Sequence, residues 1–218
     1  KAYAAQIDQK VKAAIAKQIA DAKKAEAEAK AKSAADTAAE KARASANPAG
    51  PSAAATNSSC DVTDPTSIRV ILNKKHCFVP IDWAPSDLVS VGGYYLRSEA
   101  ASHISELMSA AANAGVPIEF SSAYRSYANQ QATYANWVAV NGSQAAADRV
   151  SARPGYSEHQ TGLAADLKAG NCYLECFGTT PQYSWLTEHA ADYGFILRYP
   201  VGLSSITGYE PEAWHWRY

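Results

Sequence analysis

Apolar residues recur with a helical period in the first part of the chain, between residues 1 and 46. One narrow apolar face steps by four residues through Ile7, Val11, Ile15 and Ile19. Alanine, lysine, glutamate and aspartate fill most other positions without glycine or proline, so the pattern predicts a long solvated helix. A strict four-residue step drifts away from a heptad seam, which favours a spacer or membrane tether. Self-association through this helix is the alternative.

The helical pattern stops at residues 47–59, "NPAGPSAAATNSS", where two prolines, a glycine and small polar residues follow one another. This composition is typical of a flexible linker. Residues 60–218 are therefore expected to form the folded domain.

Residues 60–218 mix segments with helical spacing of apolar residues and short segments typical of strands. Helical spacing predicts helices over residues 97–115, 128–142 and 182–194. The first of these is expected to bury Ile104, Leu107, Met108 and Ala111 and to end at Gly115. Short β-branched and aromatic runs predict strands within residues 116–126, 195–200 and 214–218. The order lacks a regular β-α-β alternation, so we expect an α+β fold with a small antiparallel sheet and flanking helices.

The charge of the chain is nearly balanced, with 20 basic and 21 acidic residues and a formal net charge of −1. A balanced chain has no overall field that would attract a polyanion. Nucleic acid is therefore not expected as a partner. No stretch approaches the roughly 18 apolar residues that a membrane-spanning helix needs.

The four cysteines form an even set, and their only close pair has CxxxC spacing, unlike a thioredoxin-like or zinc-ribbon motif. Disulfides Cys60–Cys77 and Cys172–Cys176 are predicted because each closes a short local loop. Free buried thiols are the alternative. Oxidised pairs indicate an extracytoplasmic location.

Two of the five histidines have carboxylates at suggestive distances in the sequence. His159 precedes Asp166 by seven residues across a glycine, and Glu212 precedes His215 by three. Two imidazoles and a carboxylate suit a zinc ion with a fourth position for water, and a second carboxylate can take that water's proton. The spacing alone leaves another interpretation open, in which His159 and Asp166 share an ordinary hydrogen bond and the chain ends in a core strand.

Three blocks of this sequence resemble the signature blocks of VanY-type D-Ala-D-Ala carboxypeptidases in content, order and separation. They are "SAYRSYANQQ" (122–131), "GYSEHQTGLAADL" (155–167) and "EAWHWRY" (212–218). The resemblance extends from about Leu72 to the end of the chain, but it does not cover the first 59 residues or the insert "GNCYLECFG" (170–178). This family is grouped with lysostaphin and the hedgehog signalling domain, so the resemblance implies that zinc peptidase fold.

The resemblance also implies roles for individual residues. It implies that zinc is bound by His159, Asp166 and His215, and that Glu212 is the general base and later the acid. It implies that Arg125 receives the terminal carboxylate of the substrate, and that Ser157 and Gln131 contact the peptide. A structural salt bridge is the alternative for Arg125, and Arg153 is a second basic candidate.

The implied activity is that of a zinc-dependent DD-carboxypeptidase, which removes the terminal D-alanine from peptidoglycan stem peptides outside the cytoplasmic membrane. One alternative is an endopeptidase of the same fold that cuts within the stem peptide or cross-bridge. Another is a cell-wall-binding module that keeps zinc without catalysis.

Overall fold

The structure, a computed structural model, describes residues 60–218. The predicted spacer helix (1–46) and linker (47–59) lie outside the described residues. The elements in chain order are β1 (Leu88–Val91), β2 (Tyr94–Arg97), α1 (Ser98–Asn113), β3 (Glu119–Ser122), α2 (Tyr127–Asn141), α3 (Gln144–Ala147), β4 (Ala164–Lys168), α4 (Pro181–His189), β5 (Ile196–Tyr199), α5 (Ser204–Thr207) and β6 (Glu212–Arg217). Short 3-10 helices span Glu158–Thr161, Leu174–Thr179 and Ala190–Tyr193. Between residues 60 and 218, no helix combines the length and apolar character needed to cross a membrane.

Four strands form the main sheet in the order β3-β4-β6-β5, and every neighbouring pair is antiparallel. This confirms the predicted α+β fold with a small antiparallel sheet. A separate hairpin, β1–β2, was not among the predicted strands. Its turn uses Gly92 and Gly93, both at positive φ (58° and 85°). A two-residue Gly-Gly turn between β-branched and aromatic residues is a hairpin signal in the sequence.

Helix α1 matches its predicted position closely. Ile104, Leu107 and Ala111 are buried in the core, and Met108 packs against it. Gly115 follows at φ 78°, a left-handed conformation that suits glycine after a helix end. The helix predicted over 182–194 instead ends as an α-helix at His189 and continues as a 3-10 turn, a tightening that is frequent at helix ends.

Strand β4 is the central element that the hydrophobic pattern did not reveal. Ala164, Ala165 and Leu167 are almost completely inaccessible, and Asp166 between them is 8% exposed. A strand covered on both faces lacks the alternation of apolar and polar residues by which strands are recognised.

Both predicted disulfides are confirmed. Cys60 is bonded to Cys77, and Cys172 is bonded to Cys176. All four cysteines are therefore bonded.

Candidate active site

The antiparallel pairing of β4 and β6 brings two distant parts of the sequence together. Asp166 on β4 is the register partner of His215 on β6. Directly paired residues on adjacent strands point to the same face of a sheet. Their side chains meet with 3.1 Å between Asp166 Oδ1 and His215 Nδ1. A separation of 49 residues in the sequence thus becomes a direct contact.

His159 reaches the same point from the 3-10 helix that precedes β4. Its Nδ1 lies 2.7 Å from the carbonyl oxygen of Ala123, which leaves Nε2 facing Asp166 at 3.3 Å from Oδ2. Gly162 ends this 3-10 helix at φ 69° and turns the chain into β4. A Cβ here would also lie only 3.0 Å from Cγ of Arg97, so both the backbone conformation and the close contact favour glycine.

The ring of His215 is held on both sides by carboxylates. Its Nδ1 faces Asp166, whereas Nε2 lies 3.3 Å from Oε2 of Glu158. Glu158 is itself buried and accepts a hydrogen bond from Arg198 Nε at 2.7 Å. The contact between Glu158 and Nε2 leaves Nδ1 as the nitrogen of His215 that is directed toward His159 and Asp166.

These three side chains are suited to hold a metal ion. One ligand atom from each of His159, Asp166 and His215 lies within 4.8 Å of the others, and all three residues are buried. Two imidazole nitrogens and one carboxylate oxygen are a common ligand set of catalytic zinc, which keeps a further position open. Both histidines have a hydrogen-bond acceptor behind the ring, as zinc-ligating histidines usually do.

The charges of the cluster support the same interpretation. Burial lowers the pKa of His159, which favours the neutral ring that a metal requires. Burial alone would raise the pKa of Asp166, but contacts with His159 and His215 hold it well below its usual range. Burial opposes the charged form of His215, yet its hydrogen bonds to Asp166 and Glu158 raise its pKa to about 10. In the metal-free cluster His215 therefore holds a proton, which a metal cation can replace.

Glu212 joins the cluster through an irregularity in β6. Residues three apart on a regular strand point to opposite faces. The pairing with β5 matches Leu197 with Trp216 but Tyr199 with Glu212, so three residues of β6 face one residue of β5. This bulge lets Glu212 Oε2 lie 3.7 Å from His215 Nδ1. Burial raises the pKa of Glu212 to about 7, although His215 opposes the shift.

Arg125 lines the same cleft beyond β3. Its guanidinium donates hydrogen bonds to Gln130 Oε1 at 3.0 Å and Ser122 Oγ at 2.9 Å, and neither partner is charged. Burial lowers the pKa of Arg125, while Asp166 and Glu212 oppose the shift. Because no carboxylate neutralises it directly, this cation can bind an anionic group that enters the cleft.

The remaining sequence-predicted residues lie in different places. Ser157 is buried and lines the cleft with Arg125. Gln131 is exposed on α2 and does not line the cleft, whereas the preceding residue, Gln130, is fully buried there. Arg153 pairs with Asp148 outside the cleft lining.

Glu158 is a functional candidate that the sequence reasoning missed. It stands between Ser157 and His159 in the quoted block, but its partner Arg198 lies 40 residues away. The signal in the sequence was an acidic residue directly before His159. Which histidine it contacts depends on the fold alone.

Replacing Glu158 by glutamine is expected to weaken zinc affinity about 10- to 100-fold, the usual effect of removing a hydrogen-bond partner behind a ligating histidine. The change keeps the side-chain shape but removes the charge that faces His215 and Arg198. Competition with a chromogenic chelator would measure the affinity, and Glu188→Gln, whose side chain is 75% exposed, is the matched control. Unchanged affinity in Glu158→Gln would contradict this role.

Comparison with known proteins identifies the family of this chain. Residues 93–218 match the family VanY, described as D-alanyl-D-alanine carboxypeptidase. A putative carboxypeptidase, YodJ, of Bacillus subtilis (strain 168) is 38% identical over 170 residues, which cover 72% of this chain and 62% of that protein. A D-alanyl-D-alanine carboxypeptidase of Enterococcus faecium is 34% identical over 125 residues, covering 57% of this chain and 37% of that protein. The chain thus spans less than two thirds of the length of these relatives.

Solved structures share both fold and sequence with this chain. The LdcB LD-carboxypeptidase superposes with a TM-score of 0.66 and 36% identity, covering 73% of this chain and 83% of its own. VanYB in complex with D-alanine-D-alanine gives a TM-score of 0.60 and 31% identity, covering 68% and 84%. A glutamate-to-alanine mutant of the vancomycin resistance D,D-pentapeptidase VanY in complex with Zn(II) gives 0.59 and 31%, covering 68% and 86%.

Proposed function

Because the chain belongs to the VanY family of D-alanyl-D-alanine carboxypeptidases, we propose that it is a zinc-dependent carboxypeptidase that removes the terminal D-alanine from peptidoglycan stem peptides. The observation that carries the proposal is one cleft that combines a metal-ligand set, the carboxylate of Glu212 and the cation of Arg125. The VanY-type structures with Zn(II) and with D-alanine-D-alanine support the same metal and substrate.

In the proposed mechanism, His159, Asp166 and His215 hold the zinc ion. Zinc in such a site supplies Lewis acidity, which polarises a carbonyl group and makes water more acidic. Arg125 binds the terminal carboxylate through its paired N–H groups and so fixes which peptide bond reaches the site. Ser157 at the cleft wall is a further candidate for contacting the peptide, whereas Gln131, which lies outside the cleft lining, is not.

Glu212 moves the proton. Its Oε2 accepts a proton from the attacking water, whose oxygen forms a bond to the scissile carbonyl carbon. When the C–N bond breaks, the same carboxyl group donates that proton to the departing amine of D-alanine. Burial raises the pKa of Glu212 to about 7 in the metal-free cleft. A bound dication would lower this pKa, which leaves the carboxylate ionised and able to accept a proton at neutral pH.

The preferred bond is proposed to be the D-Ala-D-Ala bond. An LD-carboxypeptidase is a second candidate, because LdcB is the structural neighbour with a TM-score of 0.66. Mass spectrometry of a pentapeptide stem ending in D-Ala-D-Ala and of a tetrapeptide stem ending in a single D-Ala separates the two. Loss of one alanine from the pentapeptide, blocked by a zinc chelator, supports the DD assignment. Loss of alanine only from the tetrapeptide supports the LD assignment.

Two other outcomes of that experiment would redirect the proposal. Cleavage inside the peptide or in a cross-bridged dimer would indicate an endopeptidase. Binding of stem peptides by zinc-loaded protein without any cleavage would indicate a cell-wall-binding module.

Replacing Arg125 by lysine is expected to raise KM for free-acid peptides about 10- to 100-fold, since a hydrogen bond to a charged group contributes about 1.5–3 kcal/mol. Lysine keeps the charge but loses the planar pair of donors. The measurement compares a stem peptide with its C-terminal amide. The wild-type protein should prefer the free acid, and Arg125→Lys should lose most of this preference. Arg153→Lys is the control, and equal preference in all three proteins would argue against carboxylate binding by Arg125.

We also propose that residues 60–218 form a catalytic domain that acts outside the cytoplasm, preceded by a spacer helix (1–46) and a flexible linker (47–59). The two disulfides support an oxidising compartment. Thiol alkylation of protein isolated from its native source without reductant tests the location, since alkylated cysteines would contradict it. Sedimentation of the full chain tests the alternative role of the first segment, because a monomer at high concentration excludes self-association.

A further inference from the structure

The loop at residues 170–178 forms part of the cleft. It follows β4 and is closed by the disulfide between Cys172 and Cys176. Leu174, between the two cysteines, is half-buried and lines the cleft together with Glu212 and Trp214. An aliphatic residue thereby lines the same cleft as the metal-ligand set.

The backbone of Leu174 has an unusual conformation. Its φ is 54°, and among residues 60–218 it is the single non-glycine residue at positive φ. A leucine pays conformational free energy there that glycine does not, because its Cβ crowds the backbone. Such conformations persist where the surrounding structure imposes them, and they cluster at functional sites.

The surrounding contacts fix the loop firmly. Ala169 and Cys172 exchange two backbone hydrogen bonds of 2.9 and 3.0 Å immediately after β4. Phe177, one residue beyond the disulfide, is fully buried in the core. A Cβ added at Gly178 would lie only 3.0 Å from the Cβ of Ala213, so the 3-10 helix approaches β6 closely beside Glu212.

The strand order indicates which part of a substrate Leu174 meets. Arg125 follows β3, at one edge of the sheet, and two of the three metal-ligand residues, Asp166 and His215, lie on β4 and β6. The 3-10 helix that begins at Leu174 packs mainly against β6. Because β3 and β6 flank β4 on opposite sides, Arg125 and this 3-10 helix approach the cleft from opposite sides of β4. A peptide with its carboxylate on Arg125 would extend its amino side toward Leu174.

We propose that Leu174, held over the cleft by the Cys172–Cys176 disulfide, is a specificity-determining residue. It packs against the side chain of the stem-peptide residue that precedes the terminal D-Ala-D-Ala pair. This inference rests on the proposed carboxypeptidase function and adds to it a preference for substrates longer than a dipeptide. Trp214 supplies a second apolar surface in the same cleft.

The test compares three substitutions on two substrates, a stem pentapeptide and an N-acetylated D-Ala-D-Ala dipeptide. Leu174→Ala and Leu174→Gly are expected to raise KM for the pentapeptide about tenfold, at the low end of the effect of lost methylene groups in an apolar pocket. Their kcat and their KM for the dipeptide should stay within twofold of wild type. Leu174→Met, which keeps an aliphatic chain, should retain most of the wild-type KM.

Leu174→Gly separates a specificity role from a structural one. Glycine relieves the left-handed backbone, so its melting temperature should equal or exceed that of Leu174→Ala. Weaker pentapeptide binding in the more stable variant supports the proposal, because lost folding cannot explain it. Unchanged KM in both variants, with full zinc content, would overturn it.

The role of the Cys172–Cys176 disulfide is tested against removal of the other disulfide. Replacing Cys172 and Cys176 by serine should raise KM for the pentapeptide as Leu174→Ala does, whereas replacing Cys60 and Cys77 should leave KM unchanged. Calorimetric binding of the pentapeptide to Glu212→Gln protein, with and without Leu174→Gly, gives a readout independent of cleavage. If wild-type protein cleaves neither substrate, the proposed function fails. The inference fails separately if Leu174→Gly leaves that affinity unchanged.

Discussion

Replacing Glu212 by glutamine is expected to lower kcat about 10²- to 10⁴-fold, the range that general acid–base catalysis contributes. Glutamine has nearly the same shape, but its amide cannot accept the proton of water or return one to an amine. Glu212 is 3.7 Å from His215 Nδ1 through its Oε2, and the bulge in β6 places it there without making it part of the metal-ligand set. The substitution should therefore leave zinc bound.

Steady-state kinetics on the pentapeptide, together with zinc content by atomic absorption, would measure this effect. Glu188→Gln changes an exposed glutamate and is the control. The role of Glu212 would be disproved by full activity in a zinc-loaded Glu212→Gln protein. Loss of zinc in that variant would instead place Glu212 among the metal ligands.

The pH profile gives an independent check on the same residue. Burial raises the pKa of Glu212 to about 7 in the metal-free cleft, and a bound dication would lower it again. The proposed base works in its ionised form, so kcat/KM should rise with pH and level off once Glu212 has lost its proton. The acid limb is expected below pH 7, and Glu212→Gln should lack it.

The residues of the cleft differ in how far the sequence alone could predict them. His159, Asp166 and His215 are chemically distinctive and lie in long blocks, so their convergence was predicted. The sequence could not show how His215 is oriented, because Glu158 and Arg198 come from separate elements. Arg198 lies on β5 and His215 on β6, so the two residues meet at Glu158 only when these strands pair.

The sequence could not predict which of two neighbouring residues faces the cleft. Gln130 and Gln131 are adjacent and chemically identical, and only the rotation of α2 decides that Gln130 faces Arg125. Similarly, Glu212 and His215 would lie on opposite faces of a regular strand. The bulge that brings them together depends on pairing with Tyr199, which no local pattern encodes.

The fold was predictable where one periodicity dominated. Helix α1 has a clear apolar face, and its end at a glycine follows from local backbone preference. Strand β4 lacked such a signal because the core surrounds it on both sides. The strand that carries Asp166 was therefore invisible as a strand, although Asp166 itself was conspicuous as a ligand.

Replacing Asp166 by asparagine is expected to abolish both catalysis and the stabilisation of the protein by zinc. Asp166 contacts both histidines, at 3.3 Å from His159 Nε2 and 3.1 Å from His215 Nδ1, and supplies the single negative charge of the ligand set. Zinc at 100 times its dissociation constant should stabilise the wild-type fold by about 2.7 kcal/mol, because the metal binds the folded state. The melting temperature of Asp166→Asn should not respond to zinc.

Thermal unfolding with zinc and with excess chelator measures this difference, and Asp192→Asn, a change outside the cleft lining, is the control. Hydrogen bonds to Asp166 and Glu158 raise the pKa of His215 to about 10 in the metal-free protein, so zinc must displace its proton. Zinc affinity of the wild type should consequently increase with pH below that value, by up to about tenfold per pH unit for one displaced proton. If zinc shifted the melting temperature of Asp166→Asn as much as that of wild type, Asp166 would not be a metal ligand.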